Sequence, residues 1–205
     1  MSRRIAPLLT LLLILTTLSG CGLLRAQERS ISRLWVSPEK EMALGAQFSG
    51  EIEGEYNLIH DPLVQAWVTR LGNELLQHSP ETQVSFTFQV TDSQEVNAFA
   101  IPGGYCYVNL GLIMYADNEA QVAAVMGHEV NHVTMRHGVV ALQRAVGIQA
   151  FSVLAAATLE DEREAAVAVI ATQAGGFLAT RRFGRGDERE ADTHGVEAMY
   201  RAGYD

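Results

Sequence analysis

Apolar positions along the chain change their period twice. Ser37-Pro38-Glu39 is a cap with proline at the first helical position, and Met42, Leu44 and Phe48 behind it predict a helix to about Glu53. Asp61-Pro62 repeats the device. After it, Leu63, Val64, Trp67, Val68, Leu71, Leu75 and Leu76 predict a second helix that stops near Ser79-Pro80. The period then becomes two. Residues 84–90 alternate apolar and polar side chains, as a strand with one buried face does. Residues 97–101 read as a second strand, Pro102-Gly103-Gly104 as a turn and residues 105–109 as a third strand, so the expectation is a small antiparallel sheet. Helical spacing returns from Asp117 to Gly138. Asp117-Asn118 caps that helix, Val122, Val125, Met126, Val130 and Val133 are its apolar positions, and Gly138 is its expected stop. Beyond it, residues 139–159 are apolar apart from Gln143, Arg144 and Gln149, which predicts a buried or amphipathic helix rather than a membrane span. Residues 160–164 read as an acidic turn and 165–178 as a further, alanine-rich helix. The fold class expected is α+β, mostly helical, with the sheet immediately before the helix of residues 117–138.

Composition adds an address more than a fold. The chain has 205 residues, and 48% hydrophobic with 19% charged residues suits one globular domain with a sizeable core. Its net charge of −9 makes nucleic acid a poor partner. Arg3 and Arg4, an apolar run over residues 5–18 and small Ser19 and Gly20 have the three parts of a secretory leader. Leu18-Ser19-Gly20-Cys21 resembles the bacterial lipobox, which implies a lipid on Cys21. Gly22 is not the aspartate that retains such lipoproteins in the inner membrane, so the expected place is the periplasmic face of the outer membrane. The organisation expected is a signal peptide over 1–20, a lipid-anchored linker over 21–36 and a catalytic domain over 37–205. With Cys21 acylated, Cys106 has no disulfide partner within the chain and reads as a small buried hydrophobe.

Chemistry enters at His128-Glu129-Val130-Asn131-His132. Histidines four apart on a helix project from one face, one turn above the other, at the separation that grips one tetrahedral zinc ion. Glu129 lies about 100° round from His128, placed to take a proton from water rather than to bind the metal. Gly127 leaves room for another element to come close. Catalytic zinc keeps three protein ligands and leaves the fourth position for water. The third is sought in the helix that Asp187 would cap, where Glu188 and Asp192 share a face. Glu188 could be the carboxylate ligand and Asp192 could fix a ligand histidine's tautomer, with Glu190 and His194 as competitors on these grounds alone.

Asn97-Ala98-Phe99-Ala100-Ile101-Pro102-Gly103-Gly104, then Glu119, then Met126-Gly127-His128-Glu129-Val130-Asn131-His132 with Arg136-His137, then Arg185 and Glu188-Arg189-Glu190-Ala191-Asp192, and finally Ala202-Gly203-Tyr204-Asp205, resemble the zinc metallopeptidase family of HtpX and the CAAX prenyl protease. The resemblance runs from about Pro38 to Asp205, and within the family it is nearest to periplasmic lipoprotein members. It implies a zincin-like gluzincin fold holding one Zn2+ per chain, with His128, His132 and Glu188 as ligands, Glu129 as general base and Asp192 behind the ligands. It also implies that Asn97, Ala98, Phe99 and Ala100 form the edge strand that holds the substrate backbone. Where this family has a serine before the matching arginine, Gly184 stands here. The family continues beyond the Ala-Gly-Tyr-Asp motif, so the domain is expected to be truncated at its C-terminus. The implied activity is hydrolysis of peptide bonds in misfolded or stalled cell-envelope proteins. The rival reading is a periplasmic chaperone or assembly factor for outer-membrane proteins with weak or latent proteolysis.

Overall fold

The computed structural model describes residues 36–144 and 183–204. Helix α1 spans Pro38–Glu55, capped by Ser37, whose Oγ accepts from the Lys40 amide. Glu39 and Glu41 stand in its first turn, where the helix dipole favours negative charge. Helix α2 spans Pro62–Gln77, and Asp61 Oδ1 accepts from the amides of Leu63 (2.9 Å) and Val64 (3.1 Å). Val68, Leu71 and Leu75 on α2 are fully buried, each contributing about 1.5–3 kcal/mol on leaving water. The half-exposed Arg70–Glu74 ion pair on the same helix is worth under about 1 kcal/mol, so packing rather than charge seats α2.

Three strands follow: β1 Thr87–Thr91, β2 Ala98–Ile101 and β3 Tyr105–Asn109. They lie in the order β1-β3-β2. β2 and β3 form the expected antiparallel hairpin, turning through Gly103 and Gly104, both at φ 88°. β1, however, pairs with β3 in parallel, so the sheet is mixed rather than antiparallel. Residues 92–104 make the crossover that a parallel pair requires, and β2 lies within that crossover. Alternation told which face of residues 84–90 is buried but not which neighbour the strand takes. The ladder also begins only at Thr87, whose amide donates to the Gly104 carbonyl.

The two faces of the sheet are covered differently. Cys106 and Val108 point toward α2 and the metal-motif helix, in a core with Phe88, Val90, Val122, Met126 and Val130. Tyr107 points the other way, to Phe48 of α1 and to Phe99 and Ile101 of β2, with the Phe99 and Tyr107 rings 5.0 Å apart. Gly45 lets α1 lie directly on the hairpin turn, since a Cβ there would stand 2.2 Å from the Pro102 carbonyl oxygen. Cys106 is buried, as expected, and burial pushes its thiol pKa up.

A short helix α3, Leu110–Tyr115, leads to α4, Glu119–Thr134, which is capped by Asn118. Sequence periodicity predicts one helix through to Gly138; the structure ends it at Thr134. Arg136 takes a left-handed conformation (φ 59°), and a new helical stretch begins at residue 137 and continues through 144. The cause is visible in its side chain. Arg136 turns inward, donating from Nε to Glu41 Oε2 (2.8 Å) and from Nη2 to the Val36 carbonyl (2.7 Å), and both charged side chains are buried. Helix α5, Arg185–Arg201, is capped at Gly184, three residues earlier than a cap at Asp187 predicts; Asp187 instead accepts from the Gly184 amide from inside the first turn.

Two motif residues pin the start of α4. Glu119 accepts from Tyr204 Oη (2.6 Å), Arg70 Nη2 (2.6 Å) and Trp67 Nε1, joining α4, α2 and the segment after α5. The Tyr204 hydrogen bond, ahead of those from Trp67 and Arg70, holds the Glu119 pKa below its ordinary value. Gly203, at φ 91°, makes the turn that brings Tyr204 back. The leader, Cys21, most of the linker, the greater part of the apolar segment 139–159 and the helix expected at 165–178 lie outside the described residues. Among the described residues no helix is long and apolar enough to cross a membrane.

The buried Glu41–Arg136 pair generates a prediction. Arg136→Met removes the cation from a carboxylate that is 1% exposed and should cost about 3–5 kcal/mol of stability by urea unfolding. The double replacement Glu41→Leu/Arg136→Met should restore most of that loss. A single variant as stable as the parent would show that the pair does not hold the turn.

Candidate active site

The site is made where α4 and α5 touch backbone to backbone. A Cβ on Gly127 would stand 3.2 Å from the Gly195 carbonyl oxygen, and one on Gly195 would stand 3.0 Å from the His128 amide nitrogen. This contact gives the room expected before His128 its occupant. It also brings Glu188, two turns ahead of Gly195, to the histidine face of α4.

His128, His132 and Glu188 come together with one ligand atom each, all within 4.8 Å of one another. His128 Nε2 and His132 Nε2 are 2.9 Å apart. Glu188 oxygens lie 3.5 Å from His128 Nε2 and 3.9 Å from His132 Nε2. Tetrahedral zinc with bonds of about 2.0–2.1 Å holds its ligand atoms about 3.3 Å apart, and these three distances bracket that value. The hydrogen-bond roles agree. Asp192 Oδ1 lies 2.8 Å from His128 Nδ1, and since a carboxylate only accepts, Nδ1 carries the proton and Nε2 presents its lone pair. His132 keeps no extra proton either. Burial first, then the neighbouring His137 and His128, pull its pKa down to about 3. With Nε2 of His132 unprotonated as well, two lone pairs and a carboxylate face one point, an arrangement that a cation satisfies.

Glu129 stands beside this group without joining it. Its Oε2 accepts from the Ala100 amide at 3.0 Å, which ties the carboxylate to β2. Among the described residues β2 is an edge of the three-stranded sheet, paired with β3 alone. Ala98, Phe99 and Ala100 lie in that strand, and Asn97 lies just before it, its carbonyl accepting from the Asn109 amide. Phe99 is buried against α1's cluster, so its side chain anchors the strand from behind.

Of the competitors for the third position, neither joins the group. Glu190 Oε2 reaches His137 Nε2 at 3.3 Å, and His194 Nδ1 lies 3.8 Å from Glu197 on its own helix. Sequence reasoning passed over two residues of the site, His137 and Phe183. His137 Nδ1 is 3.0 Å from His132 Nδ1, and the Phe183 ring stacks on His132 with centroids 4.1 Å apart. The only signal for His137 was a histidine directly after Arg136; Phe183 had none.

Two histidines and a carboxylate around one point, with a second carboxylate alongside, form the donor set of a metal-dependent hydrolase. Residues 62–205 match the model of Peptidase family M48, and the chain belongs to that family. It is 31% identical to the beta-barrel assembly-enhancing protease of Yersinia pestis over 98% of this chain and 44% of that protein. The protein of that name from Escherichia coli K12 is 33% identical over 81% of this chain and 35% of its own length. Metalloprotease LoiP of Escherichia coli K12 is 28% identical over 98% of this chain and 81% of that protein. The chain therefore spans less than half the length of the two beta-barrel assembly-enhancing proteases.

The depressed His132 pKa predicts an acid sensitivity of the metal-free protein. Unfolded, this imidazole binds a proton below about pH 6.5; folded, it stays neutral down to about pH 3. Stability is thus full above that upper value and is lost as the pH falls through the window. Urea midpoints of the metal-free chain should drop between about pH 7 and about pH 4, with a shallower drop in His132→Asn. Equal slopes for the two proteins would contradict the assignment.

Proposed function

We propose that the chain is a zinc-dependent endopeptidase. The observation that carries this reading is the convergence of His128, His132 and Glu188 beside Glu129, with Glu129 fixed to the open edge strand β2. His128, His132 and Glu188 would hold the ion. Bound there, zinc supplies Lewis-acid polarisation of the scissile carbonyl and makes water a better nucleophile at neutral pH.

The remaining steps belong to the protein. A peptide in extended form adds along β2, main chain to main chain, as strands add to open sheet edges. Glu129 takes the proton of the attacking water and passes it to the departing amine. Its hydrogen bond from Ala100 fixes the carboxylate relative to the strand on which the peptide lies. Asp192 keeps His128 in the tautomer that offers Nε2.

Substrates in this reading are misfolded or stalled envelope proteins, whose exposed extended segments can lie along an open edge. The leader-like residues 1–20 and the lipobox-like Leu18-Ser19-Gly20-Cys21 support a lipid anchor on Cys21, and Gly22 supports the outer membrane's periplasmic face. The relatives' printed names, two of them beta-barrel assembly-enhancing proteases, accord with work on envelope proteins. Glu129 in place beside the ligand group supports turnover over a role confined to holding unfolded clients.

Zinc content and casein cleavage of the purified chain test this. Wild type should bind one zinc and cleave. Glu129→Gln should keep the zinc and lose about 10²–10⁴-fold in kcat/KM. Glu188→Ala should lose the zinc and the activity together. Cleavage undiminished in Glu129→Gln would sink the assignment of the base, and stoichiometric zinc in Glu188→Ala would sink the ligand set.

A further inference from the structure

His132 is supported unlike His128. His128 Nδ1 meets a carboxylate directly, and that carboxylate, Asp192, is 68% exposed. His132 Nδ1 meets a second imidazole, His137, which is 3% exposed and whose Nε2 faces Glu190. On a continuous helix, residue 137 would sit about 140° round from residue 132, at 3.6 residues per turn, and could not reach its ring. The left-handed turn at Arg136 breaks that geometry and returns His137 to the back of His132.

We propose that His137 is a positioning residue for the metal ligand His132, in a chain Glu190–His137–His132 whose two imidazoles are buried. Nδ1 of His132 donates to Nδ1 of His137, and Nε2 of His137 donates to the Glu190 carboxylate. This order of protons leaves Nε2 of His132 unprotonated and aimed at the ion. Imidazole suits the middle place because a neutral ring accepts on one nitrogen and donates on the other. It transmits the pull of the Glu190 carboxylate to His132 without placing a second negative charge against a buried ring. Phe183, stacked on His132, limits the ring's remaining freedom to rotate. The inference rests on the metal-site reading above and gives Glu190, which is not in the ligand group, a distinct task.

The test is zinc affinity of the full chain by competition with a chromophoric chelator, with the visible spectrum of the cobalt-loaded protein and the melting temperature of the metal-free protein alongside. His137→Phe fills the space but cannot accept a hydrogen bond, and should weaken zinc binding by about 10–100-fold and alter the cobalt spectrum. His137→Gln, whose amide oxygen can accept from His132, should recover most of the affinity. Glu190→Ala should weaken binding by a smaller factor, and adding it to His137→Phe should cost nothing further, because the chain is already cut. Wild-type affinity and spectrum in His137→Phe would overturn the proposal. So would equal weakening in the Phe and Gln variants with matching drops in metal-free melting, which would mark His137 as packing only. Failure of wild type itself to take up zinc would overturn the metal-site reading first, and this inference with it.

Discussion

The contact between Gly127 and Gly195 is the constraint on which the rest depends. Two of the three candidate ligands come from α4 and the third from α5, which begins 51 positions after α4 ends. A Cβ at either glycine would press the helices apart by a few tenths of an ångström, because the neighbours it would meet are backbone atoms that cannot swing away. Glu188 would shift by a similar amount relative to the histidine pair. The helix axes, not the side chains, set whether three ligand atoms can share one point.

Around that contact the fold supplies two further fixtures. At the start of α4, Glu119 gathers Trp67, Arg70 and Tyr204, so the segment following α5 is tied to α2 as well as to α4. Just past its end, Arg136 goes down into the interior to Glu41 of α1. Burying such a pair is a doubtful way to gain stability, since desolvation offsets much of the attraction. Its return is geometric: the inward turn ends α4 directly behind the second histidine and re-aims the chain.

Much of this was legible in the sequence, and the limits have physical causes. Capped helices and the His-Glu-x-x-His spacing are local, so Ser37, Asp61, Asn118 and the two histidines announced themselves. Gly127 announced a close approach but not the partner, since Gly195 is distant in the chain. The pairing of β1 was hidden because alternation encodes a buried face and leaves the neighbouring strand unspecified. The break at Arg136 was hidden because apolar spacing runs on past it; a non-glycine residue in the left-handed region is paid for by a partner 95 positions away. His137 went unread for the same reason, as its task exists only once that break is made.

Helix α5 has a further consequence. The side chains it buries fully, apart from Asp187, are as small as Ala191 and Ala198, with Met199 partly buried against the core. What faces α4 and the stretch behind it is Glu188, Glu190 and Asp192, a row of carboxylates set against imidazoles. Seating this helix and filling the proposed metal site would then be linked, each drawing on the other's free energy. Metal supply would then register in the tightness of this helix, while the sheet, which rests on apolar contacts, stays as it is.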